Sequence, residues 1–150
     1  MPVVTTVILL RHGRTTANAD GALAGHQPVG LDDTGQLQAK AAGERLAGVP
    51  LAAVVTSPLA RCRETLALAL PDVDPRVDER LVECGYGDWE GQSLKKLAKD
   101  PLWKVVQQHP SAVTFPGGEP LAAMSARAVA AVRDGDARVS AEHGPGALWL

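Results

Sequence analysis

Short, continuous apolar runs alternate along the chain with longer segments in which apolar residues recur every three or four positions. The run TTVILL (residues 5–10) is rich in β-branched side chains, the pattern of a strand buried on both faces in a parallel sheet. In GLDDTGQLQAKAAGERLAG (residues 30–48), Asp32, Asp33 or Thr34 can cap a helix. Gly35, Ala39, Ala42 and Leu46 form its buried stripe, and Gly48 and Pro50 stop it. LAAVVTS (residues 51–57) reads as a second buried strand. Ser57 then caps, and Pro58 opens, a helix through LARCRETLALAL that stops before Pro71. Residues 76–81 read as a short strand, and Gly85, Gly87 and Gly91 shape the loop after it. Residues 95–108 are weakly helical and interrupted by Pro101. FPGGEP is a turn leading into a helix over residues 121–142, with Leu121, Met124, Ala128 and Val132 on one face. HGPG ends that helix, and ALWL (residues 147–150) begins another buried strand. Strand–helix–strand–helix order predicts an α/β fold with parallel pairing.

A length of 150 residues predicts one domain, residues 1–150, and an apolar share of 45% is enough for a packed core. The net charge of −2 gives no general attraction to nucleic acid or to an anionic membrane, so neither is expected as a partner. No apolar run reaches membrane-spanning length, and no basic-led apolar start marks a secretory signal. Cys62 and Cys84 belong to no CxxC or CxxH pair. They predict neither a disulfide framework nor a metal site, but reduced thiols in a cytoplasmic protein.

With no global field to attract an anion, any anion site must be local, and the chain has one dense candidate. Strand one ends at Leu10 and is followed at once by Arg11, His12, Gly13 and Arg14. Strand two is followed by a helix that carries Arg61 and Arg63 in its first turns. The carboxyl ends of parallel strands are where α/β folds hold ligands, and a helix start there adds unpaired N–H groups. Arg11, His12, Arg14, Arg61 and Arg63 can together supply a cationic pocket. Arg61 and Arg63 are spaced i, i+2 and cannot share a helix face. Arginine pairs two N–H groups with two phosphate oxygens, and Gly13 would let the backbone approach the anion closely. Cationic neighbours favour a neutral His12 imidazole, which has a lone pair able to attack phosphorus. The leaving alkoxide then needs a proton. Glu83, Asp88 and Glu90 share the glycine-rich loop, and residue chemistry alone leaves the choice among them open.

The segments LLRHGRTTAN, SPLARCRET and ERLVECGYGDWEG, with LDDTGQLQA and FPGGE between and after them, resemble in order the motifs of the histidine phosphatase superfamily, also called phosphoglycerate mutase-like. The resemblance covers residues 5–150. It implies a three-layer α/β/α sandwich with a mostly parallel central sheet, and no metal or organic cofactor. It implies His12 as the nucleophile, Arg11 and Arg61 as phosphate ligands, Asn18 as a phosphate or substrate contact, and Glu83 as the proton donor. Position 14 is arginine where many members carry glutamate, which should alter substrate preference more than chemistry. The family's other catalytic histidine, followed by glycine, comes directly after a late buried strand that ALWL resembles. The domain is therefore read as incomplete at its C-terminus. His143-Gly144 precedes that strand and is expected at the opposite rim.

The expected activity is hydrolysis of small phosphomonoesters through a phosphohistidine, with a small phosphorylated metabolite as partner. A phosphoglycerate-type phosphomutase or a non-catalytic phosphate-binding relative are the alternatives, and a homodimer is the oligomer allowed for.

Overall fold

The computed structural model describes residues 4–150. Five short strands, β1 (Thr6–Val7), β2 (Leu51–Ala53), β3 (Val55–Thr56), β4 (Arg76–Val77) and β5 (Leu148–Trp149), form the sheet. Every pairing is parallel: β1 and β2 flank β5, and β3 pairs with β4. β2 and β3 are one extended segment interrupted at Val54. Its first part bonds to β5 on one side, and its second part bonds to β4 on the other. The ladder is carried past Val54 by Val55 N–H donating to the Leu150 carbonyl (2.6 Å) and Arg76 N–H donating to the Val54 carbonyl (2.9 Å). Because all strands run the same way, their carboxyl ends share one rim.

Two helical layers cover the sheet. Side chains alternate faces along a strand, and the last two residues of the chain show both. Trp149 lies against Gly135 of the long helix α6 (Leu121–His143) and donates from Nε1 to Asp136 Oδ1 at 3.3 Å. Leu150 faces the other way and clusters with Val54 and with Leu66 of α3 (Ala60–Ala69). α3 packs on α2 (Asp33–Leu46), completing the α/β/α sandwich. α2 begins where its pattern predicts: Asp32 caps it by accepting from Gly35 N–H at 2.8 Å, and Gly35 and Ala39 are buried. Two shorter helices, α4 (Leu94–Leu97) and α5 (Pro101–Gln108), replace the single interrupted helix over residues 95–108. Pro101 serves as the first residue of α5.

Three sequence expectations need correction. TTVILL is not buried on both faces: Leu9 is 81% exposed, and only Thr6–Val7 join the ladder, because among the described residues β1 is an edge strand with β5 as its one neighbour. Residues 76–81 are strand only over Arg76–Val77 and then tighten into a 3₁₀ turn, Glu79–Leu81, capped by Asp78. α3 starts later than Ser57 and Pro58 suggest. Its cap is Leu59, and Ser57 Oγ instead accepts from Leu59 N–H at 3.4 Å.

A second core lies under the loop after β4 and contains Cys84, Trp89, Leu97, Val113 and Phe115. Four of the chain's five aromatic side chains meet there. Phe115 meets Tyr86 and Trp89 edge-on at 4.9 and 5.3 Å, and Trp89 stacks on Trp103 at 6.0 Å. Such pairs contribute beyond their buried area, so this loop is seated on a packed base. No helix is long and apolar enough to cross a membrane among the described residues.

The loop after β1 is fixed against α2 by two glycines. A Cβ on Gly35 would stand 2.0 Å from the Arg14 carbonyl oxygen, and one on Gly13 would stand 2.3 Å from the Gly35 carbonyl oxygen. Both clashes are with backbone, which cannot swing aside. Gly35→Ala is therefore expected to destabilise the fold by about 2–3 kcal/mol, as overpacking does. The Tm should fall by roughly 5–10 °C for a domain of this size, measured by thermal unfolding. An unchanged Tm would contradict this packing.

Candidate active site

The segment between β1 and α1 (Thr16–Ala19) places the first group of functional side chains. His12 is half-buried, and its Nδ1 lies 2.7 Å from the Gly13 carbonyl oxygen. A carbonyl can only accept, so the ring proton sits on Nδ1 and the lone pair on Nε2. Arg11, His12, Arg14, Asn18 and Gln38 line a cleft of about 340 Å³. Asn18 closes the capping box of α1: its Oδ1 accepts from Thr15 N–H at 3.1 Å and from Thr15 Oγ1 at 2.9 Å. Its amide hydrogens are then left to point elsewhere. Arg14 is held at the rim, donating from Nε to Asp32 Oδ2 (2.6 Å) and from Nη2 to Thr34 Oγ1 (2.9 Å). The Asp32 carboxyl lies below the usual range, chiefly because it accepts the Gly35 N–H, with Arg14 adding to the effect.

Gly13 corrects one reading. The space beside its Cα is taken by the Gly35 carbonyl, and its N–H donates to Thr65 Oγ1 at 3.1 Å. Its smallness serves helix packing, and its amide is engaged by Thr65.

Thr65 links this segment to the second group. Its hydroxyl accepts from Gly13 and donates to the Arg61 carbonyl at 2.7 Å, one helical turn back on α3. Arg61 is only 4% exposed. Its Nη2 donates to the Gly25 carbonyl at 3.0 Å, and its Nη1 is buried with no hydrogen-bond partner among the described residues. A buried guanidinium with unpaired N–H groups is costly and is the donor set an oxyanion satisfies. Arg63, two residues on, is exposed on a different face of α3 and does not join the cluster. His12 also lines a second, mainly apolar cleft of about 250 Å³ with Ser57, Cys62, Thr65 and the carboxyl ends of the strands. Cys62 brings a thiol to that cleft. Burial pushes its thiol up, partly offset by Arg61, so it is protonated at neutral pH. Cys84 is fully buried and pushed up to about 11 by burial. Both are free thiols.

Glu83 stands in the loop after β4. Its Oε1 accepts from Cys84 N–H at 2.8 Å and from the Tyr86 hydroxyl at 3.3 Å. Burial, with the nearby Glu83 charge, raises the Tyr86 hydroxyl, which therefore stays a donor. The two rivals have other work. Glu90 Oε1 accepts the N–H groups of His26 (3.1 Å) and Tyr86 (3.2 Å), tying two loops together. Asp88 is exposed and packs beside Gly117. The FPGGE turn seats this loop from outside. A Cβ on Gly118 would meet the Gly85 carbonyl oxygen at 2.3 Å, and one on Gly87 (φ +56°) would meet the backbone of Gly117 and Gly118 at 2.3 Å. Only glycines allow the two backbones to touch there.

Sequence reasoning missed His26, whose Nε2 lies 2.6 Å from the Glu83 carbonyl, and Arg127, which bonds the same loop from α6. Neither carries a local signal, since their partners are 57 and 44 residues away. His143 lies before β5, at the opposite rim, with its Nε2 3.8 Å from Glu142 Oε2. Among the described residues no group of three or more His, Cys, Asp or Glu side chains is placed to hold a metal ion.

The segments that follow β1, β3 and β4 thus meet along the carboxyl rim of one parallel sheet. Comparison with known proteins finds relatives of this chain. A family model described as the histidine phosphatase superfamily (branch 1) matches residues 7–147. The chain is 40% identical over 94 residues to an adenosylcobalamin/alpha-ribazole phosphatase of Salmonella typhimurium, covering 61% of this chain and 46% of that protein. It is 33% identical over 122 residues to a 2,3-bisphosphoglycerate-dependent phosphoglycerate mutase of Gloeobacter violaceus, covering 77% of this chain and 56% of that protein. Among solved structures it superposes on Bacillus stearothermophilus YhfR with a TM-score of 0.79 at 32% identity, over 97% of this chain and 72% of that one. The chain spans from a third to just over half the length of the curated relatives it matches.

Proposed function

The chain belongs to the histidine phosphatase superfamily, and on that footing we propose that it hydrolyses small phosphomonoesters through a phosphohistidine on His12. Arg11, Arg61 and the Asn18 amide bind the phosphoryl oxygens. His12 Nε2 attacks phosphorus as the ester P–O bond breaks, and Glu83 gives its proton to the departing alkoxide. Oε1 of Glu83 already accepts two hydrogen bonds, so the proton is carried on Oε2. Water then attacks the phosphohistidine, Glu83 takes the water's proton, and inorganic phosphate and free His12 are released.

The observation that carries this reading is the buried, unpartnered Nη1 of Arg61 beside the segment that holds His12. A mutase would use the same first step and return the phosphoryl group to another hydroxyl. Free thiols at positions 62 and 84 are in keeping with a cytoplasmic enzyme. The test is a denaturing quench during turnover of a ³²P-labelled monoester. Label that survives alkali, is lost in acid and maps to the peptide containing His12 is the expected result. Steady turnover with no label on that peptide would overturn the covalent route. Release of labelled inorganic phosphate, rather than a rearranged ester, separates phosphatase from mutase.

A further inference from the structure

We infer that Arg127 is a positioning residue for proton transfer by Glu83, holding the backbone of residues 80–83 so that the carboxyl stays at the rim. The inference rests on the reading of Glu83 as proton donor. Arg127 lies on α6, and all five of its N–H donors are engaged. Nη1 donates to the carbonyls of Arg80 (2.8 Å) and Val82 (2.5 Å). Nη2 donates to the Glu83 carbonyl (3.0 Å) and to Glu119 Oε1 (2.5 Å), and Nε donates to Glu119 Oε2 (3.4 Å). Glu119 Oε1 also accepts from Gly85 N–H at 2.9 Å. One arginine–glutamate pair therefore fixes the main chain at residues 80, 82, 83 and 85.

This placement is specific to the donor. Three carbonyls converging on one guanidinium is not a strand or helix arrangement, so past the 3₁₀ turn at Glu79–Leu81 the segment relies on Arg127 rather than on regular structure to hold it. The Glu83 carbonyl is held twice, by Arg127 and by His26, and the carboxyl is steadied by Cys84 N–H and Tyr86. The Glu119 carboxyl lies below the usual range, mainly because Arg127 bonds to it. All the donors of Arg127 are spent on main-chain carbonyls and on Glu119, so it acts through Glu83 and not on the substrate. Lysine, with three donors on a point charge, cannot reproduce the fork.

The test compares two phosphate esters in the full chain. β-Glycerol phosphate releases a poor leaving group that needs a proton, and 2,4-dinitrophenyl phosphate releases one that does not. The readout is the single-turnover rate of leaving-group release, which precedes the water step that Glu83 also serves. Glu83→Gln should slow that release from the first ester by about 10²–10⁴-fold, the usual share of a general acid, and from the second by far less. Arg127→Lys, which keeps the charge and the stem packing, should slow release from β-glycerol phosphate by about 10-fold or more, a fraction of that share, with KM steady and release of dinitrophenolate slowed far less. In the Glu83→Gln background it should add nothing. If Arg127→Lys slows both esters equally while Glu83→Gln stays selective, Arg127 is a general structural support and the inference is overturned. If Glu83→Gln itself treats the two esters alike, Glu83 is not the donor, and the underlying reading fails first.

Discussion

His12→Ala is expected to lower kcat on p-nitrophenyl phosphate by at least about 10⁴-fold, the scale seen when a covalent nucleophile is removed. Inorganic phosphate should still bind, since Arg61, Arg11 and Asn18 remain. The size follows from the site having no substitute. Cys62, the thiol in the adjoining cleft, is kept protonated by burial. His26 points its Nε2 at the Glu83 carbonyl, and His143 is at the far rim. His12→Asn sharpens the test. Its side-chain amide can still donate to the Gly13 carbonyl in place of Nδ1–H, so the loop keeps its shape while the nucleophile is lost. Both variants should fail to take up label in the quench experiment. Either one turning over at the wild-type rate would remove His12 from the chemistry.

How far the sequence foretold this depends on the range of each interaction. α2 was legible because Asp32, Gly35 and Ala39 lie within two turns and state cap and buried face locally. α6 was legible for the same reason, and its buried residues Ala131, Gly135 and Val139 continue the predicted stripe. His12 and Arg61 could be singled out because a strand end followed by a cation is itself a local pattern. The failures involve partners distant in the chain. Leu9 looks like core until one knows that β1 is an edge strand. Gly13 looks like room for a ligand until Gly35 is seen to fill it. The 51–57 run looks like one strand, yet it divides at Val54 because its two halves bond to different neighbours. The Arg127 contacts join a helix side chain to main-chain carbonyls, which have no side-chain identity to read.

Arg61→Met should push stability and function in opposite directions, and the contrast identifies what the arginine is for. In the free protein Arg61 is a cation, 4% exposed, with one hydrogen bond to Gly25 and an unpaired Nη1. Methionine fills a similar volume without a charge to desolvate, and replacing buried ionic groups in this way is often neutral or stabilising by about 1–4 kcal/mol. The Tm without ligand is therefore expected to hold or rise. With phosphate the order reverses. Two charge-assisted hydrogen bonds at about 1.5–3 kcal/mol each would be lost, which corresponds to about 10²–10⁴-fold weaker phosphate binding and at least as large a fall in kcat/KM. A ligand that binds only the folded state raises its Tm, so millimolar phosphate should stabilise the wild type and leave Arg61→Met unmoved. Thermal unfolding of both proteins, with and without phosphate, reads all four values. A variant that unfolds far earlier yet gains as much from phosphate as the wild type would make Arg61 a packing residue and leave the phosphate site without its central donor.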